Sequence, residues 1–156
     1  MNVLRRCLPL LALSLTGCVQ SLPLEIRFPS TNTFLVSTEV RIRVYDTSAS
    51  SCPQLVTAVR GGSMASGTEL SNVTYAACDV YTGAVVPDPG SGRKSVLVEA
   101  LDRNGTATIL VGCTEAEAYP GAPPISVSLY PTSDYAAELA ANPPMGNIAA
   151  RCGGGV

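Results

Sequence analysis

Between residues 22 and 131 apolar and polar residues alternate in short runs, and each run is closed by Gly, Pro, Asn or Asp. A period of two places successive side chains on opposite faces of a strand, so this pattern selects pleated sheet over helix. The clearest run is Glu39 to Asp46: Val40, Ile42 and Val44 share one face, and Glu39, Arg41, Arg43 and Tyr45 share the other. That is the signature of a sheet with one buried face. Leu22, Leu24, Ile26 and Phe28 alternate with Pro23, Glu25 and Arg27, and Pro23 suits a strand start or an edge. Pro29 to Asn32 reads as a turn, and Thr33 to Val36 as a short continuation of that edge.

Leu70 to Ala77 alternates again, but the parity slips at Cys78 and Val80, which predicts a bulge or a strand end there. Ser95 to Leu101 and Thr106 to Val111 flank Asp102-Arg103-Asn104-Gly105 and predict a hairpin with a tight turn. Both of these strands carry apolar residues on both phases, which places them centrally in a sheet. Residues 114–123 read as a loop, and Ile125 to Tyr130 as a last strand ended by Pro131. The period changes only at 51–60. There Ser51 can cap, Pro53 suits a helix start, Leu55, Val56 and Val59 share a face, and Gly61-Gly62 can stop the helix. The expected fold class is all-β: a two-sheet antiparallel β-sandwich of six or seven strands with one short helix in a loop.

The first residues follow another logic. Arg5 and Arg6 form a positive region, Leu8 to Leu15 a short apolar one, and Gly17 stands before Cys18. This is the layout of an export signal, and the apolar stretch falls short of the about 20 residues a membrane-spanning helix needs. Leu15-Thr16-Gly17-Cys18 resembles the lipobox of bacterial lipoproteins. The resemblance implies a diacylglyceryl thioether on Cys18, cleavage before it, and acylation of the new amine. Several chains hold a protein to a bilayer where one holds it only marginally. Val19, rather than Asp, follows the cysteine; by resemblance to the sorting rule of double-membrane bacteria, that implies the outer membrane. The domain reading is therefore a signal peptide at 1–17, a lipidated tether at 18–21, a β-sandwich domain at 22–131 and an Ala/Pro/Gly-rich tail at 132–156, in which Ser133 to Leu139 read as one or two helical turns from a Ser or Asp cap and the last glycines as disordered.

Cys7 leaves with the signal and Cys18 carries lipid, so Cys52, Cys78, Cys113 and Cys152 remain. An even number in an exported chain reads as two disulfides, with three possible pairings. The strand pattern resembles the immunoglobulin-like and prealbumin-like superfolds. In such a sandwich, strand direction favours Cys52–Cys113 with Cys78–Cys152. The rival is the local arrangement, Cys52–Cys78 with Cys113–Cys152.

Chemistry is limited by what the chain lacks. It has no histidine, which removes Ser-His-Asp and Cys-His catalysis and imidazole zinc sites. The precursor carries a formal charge of −2, and losing Arg5 and Arg6 makes that −4. An acidic balance with scattered basic residues argues against a nucleic-acid partner. Glu115 with Glu117, and Asp79 with Asp88, are the nearest to paired carboxylates, and they read as solvated turns. Asp102 to Gly105 resembles half a calcium loop without its bidentate Glu. Gly90-Ser91-Gly92-Arg93-Lys94 lacks phosphate-loop spacing and reads as a connector. Tyr45, Tyr75, Tyr81 and Tyr130 could make a sugar-binding surface or simply pack.

No catalytic residue, cofactor or metal is implied. The expected function is that of a membrane-anchored envelope lipoprotein, a non-enzymatic protein-binding or structural module, with a small-ligand or glycan-binding module as the alternative. The expected partners are the membrane, through Cys18, and an envelope protein.

Overall fold

A computed structural model describes residues 22–86, 90–119 and 121–153. The segments expected as signal peptide and tether, Cys18 with them, Asp88 and residues 154–156 lie outside them.

The protein is mostly β, built from two sheets with a few short helices. The strands are β1 (Leu22–Arg27), β2 (Glu39–Asp46), β3 (Glu69–Ala76), β4 (Ala84–Val86), β5 (Gly92–Leu101), β6 (Thr108–Ala118), β7 (Ile125–Ser128) and β8 (Tyr130–Pro131). The helices are α1 (Thr31–Val36), α2 (Cys52–Arg60), α3 (Ala77–Tyr81), α4 (Asp134–Ala141) and α5 (Ile148–Cys152). One sheet has the order β3-β2-β5-β6-β8 and is antiparallel throughout; the other has the order β4-β1-β7. The main core lies between them, with Val40, Ile42, Val44, Val96, Val98 and Leu110 facing Leu24, Ile125, Val127 and Leu129.

Several expectations are corrected. β1 pairs with β7 in parallel, so the architecture is not wholly antiparallel. A parallel pair needs a long crossover, and nearly the whole domain serves as that crossover. Among the described residues the chain has five helices, not one in a loop and a turn or two in the tail, and eight strands, not six or seven. Thr33 to Val36 belongs to α1 rather than an edge strand. Ser30 Oγ accepts from the Thr33 amide at 3.2 Å, while Thr33 Oγ1 accepts from the Ser30 amide at 3.0 Å, a reciprocal cap that starts the helix.

The parity slip at Cys78 marks the end of β3 and the start of α3. Residues 114–118, read as loop, extend β6, because Ala116 and Glu117 pair with Lys94 and Arg93 of a longer β5. The single last strand is two: β7 lies in the small sheet and β8 in the large one. The chain changes sheets at Leu129, whose amide donates to Arg27 O at 2.9 Å while its side chain is buried.

The hairpin between β5 and β6 is wider than a two-residue turn. The amide of Asp102 donates to Ala107 O at 2.9 Å, and its carboxylate accepts from the amides of Thr106 (2.7 Å) and Ala107 (3.1 Å). Burial pushes this carboxyl upward, but those amide bonds outweigh it and hold it below its ordinary value of 3.8. Gly105, at φ +69°, supplies the left-handed residue the loop needs.

The expected helical turns after Pro131 are α4, and a further short helix, α5, follows it. Helix α4 packs against β6, and α5 is tied to α1 by Arg151. Its guanidinium donates to Phe34 O (2.8 Å), Leu35 O (2.6 Å) and Ser37 O at the C-terminal end of α1, where Phe34 O also accepts from the Ser37 amide at 3.1 Å.

The two sheets approach each other closely at Gly112. A Cβ there would meet Ser128 O at 2.2 Å and Ser128 C at 2.9 Å, backbone atoms of β7 that cannot yield. Nearby, Thr114 Oγ1 donates to Ser126 O at 2.8 Å. Gly112→Ala is therefore expected to lower unfolding free energy by about 1–3 kcal/mol, since overpacking forces strands apart. An unchanged urea midpoint would show that β6 and β7 separate without cost.

Candidate functional site

The outer face of the large sheet carries a second, smaller core. Helix α2 lays Leu55, with Val56 and Val59, over Tyr45, Leu97 and Val111. This explains why β5 and β6 read as apolar on both phases. It also means that the polar face of β2 is not a solvent face, since Arg43 and Tyr45 are both buried there. The disulfide Cys52–Cys113 joins the first turn of α2 to β6 with Cα atoms 5.4 Å apart. Cys78–Cys152 joins α3 to α5 at 5.2 Å, so all four cysteines of the described residues are paired.

Beyond the last turn of α2 the sheet is left uncovered, and a cleft of about 380 Å³ opens there. Its base is an ionic cluster. Glu99 is 2% exposed, and Arg43 is 9% exposed. Arg43 Nε donates to Glu99 Oε2 at 2.8 Å, and Arg43 Nη2 donates to the same oxygen. Thr108 Oγ1 donates to Glu99 Oε1 at 3.0 Å. Arg43 Nη1 donates to the Tyr45 hydroxyl at 3.2 Å, and that hydroxyl donates to Glu69 Oε2 at 3.1 Å. Burial is the largest single influence on the Arg43 guanidinium and works against its charge. The hydrogen bonds and charge of Glu99 together overcome it and leave the group above its ordinary value. Burial raises the Tyr45 hydroxyl, so it stays a neutral donor.

Around this base stand Arg41 from β2, Val59 and Arg60 from α2, Gly62, Ser63 and Met64 from the loop after it, Thr106 and Ala107 from the hairpin, and Asp134 from α4. Arg41 is half-buried and Arg60 exposed. Such a cleft can hold a small polar molecule, since it has fixed charges, hydroxyls and a volume at the low end of the about 300–1,000 Å³ typical of ligand clefts.

None of these residues stands out by motif. The available signal is the lone carboxylate of Glu99 inside an apolar run, together with the arginines of β2 on the matching phase. The register that brings them together, Arg41 opposite Glu99, is a property of the sheet.

The residues that sequence patterns do single out are placed apart. Glu115 accepts from the Cys52 amide at 3.3 Å and from Arg93 at 2.9 Å, so it braces α2 and β5 rather than pairing with Glu117. Lys94 is buried and sits 3.6 Å from Asp46, which leaves no free basic loop at 90–94. Asp102 is consumed by its own turn. Tyr45 is buried, Tyr75 half-buried on the core face of β3, and Tyr81 and Tyr130 exposed on α3 and β8, so the four do not share one surface. Among the described residues no three carboxylates or cysteines converge as a metal site, and no helix is long and apolar enough to cross a membrane. Comparison with family models, curated proteins and solved structures gave no match.

Proposed function

We propose that the protein is a lipid-anchored lipoprotein of the bacterial envelope, sorted to the outer membrane, that works by binding rather than by catalysis. The observation that carries this reading is Leu15-Thr16-Gly17-Cys18 behind a charged and then apolar leader. Two disulfides among the remaining cysteines support it, because such bridges persist in oxidising compartments outside the cytosol. The two sheets around one core support an immunoglobulin-like or prealbumin-like sandwich as the binding scaffold. A protein partner is favoured by an aromatic notch of about 280 Å³ lined by Ile26, Phe28, Phe34, Tyr81 and Ile148, in which Tyr81 is 60% exposed. Exposed aromatic rings are over-represented among residues that anchor interfaces.

The test is the fate of Cys18. In a double-membrane bacterium the wild-type chain is expected to partition into the detergent phase and to begin at an acylated Cys18. The variant Cys18→Ala is expected to stay in the aqueous phase or retain its leader. A wild-type chain that keeps Met1, or that washes from membranes in plain buffer, would end this reading. A second reading, small-ligand binding, is favoured by the charged cleft beyond α2.

A further inference from the structure

We propose that the cleft at the C-terminal end of α2 binds a small carboxylic acid that carries a hydroxyl or amine donor at its other end; this rests on the small-ligand reading above and supplies its chemical class. Arg43 and Glu99 pair with each other at the base, and Glu69, which does not line the cleft, lies 3.8 Å from Arg43. The other charges of the cleft form no such pair. Neither Arg41 nor Arg60 forms an ion pair among the described residues, and Asp134, which lines the same space, forms none either. The fold therefore holds two guanidinium groups and one carboxylate around one cavity without closing a bridge between them.

A guanidinium fork matches a carboxylate in two parallel hydrogen bonds, and Arg is the residue best suited to that pairing. Arg41 is half-buried, so its charge has already lost part of its water and gains more from such a partner than a fully solvated one would. On the other side, the Asp134 carboxylate accepts only, so it calls for an O–H or N–H group on the ligand. Two positive groups and one negative fit a ligand of net negative charge. About 380 Å³ has room for a single sugar ring or an amino-acid-sized molecule. A mature chain of net charge −4 repels anions as a whole, so affinity for an acid has to come from these residues.

The probes are galacturonate, which offers hydroxyls, and glutamate, which offers an amine. Neutral galactose and inorganic sulfate serve as comparisons. Each is titrated by calorimetry into the oxidised, detergent-solubilised full chain. At least one acid is expected to bind, galactose is not, and the preferred acid identifies the donor type. Arg41→Gln and Arg60→Gln should each weaken that binding about tenfold or more, as expected for loss of a hydrogen bond to a charged group. Asp134→Asn should weaken the organic acid and leave sulfate unchanged. Arg93→Gln, whose partner is Glu115 elsewhere on the sheet, should change nothing. Arg60 is exposed and forms no ion pair among the described residues, so Arg60→Gln keeps the test open if Arg41→Gln fails to fold. The proposal is overturned if neither acid binds, if the arginine variants bind as the wild type does, or if sulfate binds as well as both acids and Asp134→Asn has no effect. Detergent partition is scored on the same samples, so failure of the anchor and failure of the cleft are separate results.

Discussion

Glu99→Ala is expected to destabilise the protein by about 3–5 kcal/mol, a drop in Tm of roughly 10–20 °C. Glu99 is 2% exposed at the middle of the large sheet and accepts two hydrogen bonds from Arg43 and one from Thr108 at the base of the cleft. Removing it strands the Arg43 guanidinium, 9% exposed, with only the Tyr45 hydroxyl and the 3.8 Å approach of Glu69. The loss is the cost of an unpaired buried charge and not the worth of the pair. The double replacement Arg43→Met with Glu99→Leu separates these two quantities. Because both ions were desolvated on folding, exchanging them for apolar side chains of similar volume should restore most of the stability or exceed it. Thermal melts of the two variants against wild type decide the matter. If the double variant is as unstable as the single one, the pair is contributing net stability, and the charge-burial argument fails.

Loss of the disulfides is the second large effect. The bridges close separations of 61 and 74 residues, and loops of that length correspond to about 4 kcal/mol each in the chain-entropy account. Measured values for small exported domains run from about 2 to 5 kcal/mol, so reduction of both should remove much of the roughly 5–15 kcal/mol that holds a typical domain folded. The two bridges should fail differently. Cys52→Ser with Cys113→Ser frees the first turn of α2 from β6, yet Leu55 still seals the second core. Cys78→Ser with Cys152→Ser frees α5, which has no fully buried residue, and with it the three carbonyl contacts of Arg151. Limited proteolysis between α4 and α5, at residues 142–147, should accelerate in the second variant and not in the first. Equal urea midpoints with and without reductant would refute the stabilising role of both bridges.

The β content was legible because its signal is local. Alternation in β2 and β3, and apolar residues on both phases of β5 and β6, follow from side-chain direction within one strand. Helix α2 was legible for the same reason, with its cap, its apolar face and its Gly61-Gly62 stop within ten or so residues. The short helices were missed. Helix α1 is six residues long and α3 and α5 are five each, too short to show a period; α1 betrays itself only through the Ser30–Thr33 cap. The change of sheet at Leu129 left no trace either, since Ile125 to Tyr130 alternates as one run. The split depends on Arg27 O and on β6 lying where they do.

By itself, then, the sequence determined that the chain is β-rich, that four of its six cysteines lie beyond residue 21, and that no histidine is present for catalysis. Each of these is a matter of counting or of neighbours along the chain. The tertiary structure alone decided which sulfurs meet, which strands pair in parallel, and that Arg41, Arg43, Arg60, Glu99 and Asp134 border one cleft. Those residues come from β2, α2, β5 and α4, and only sheet register and helix packing, which act between segments distant in sequence, bring them to one place.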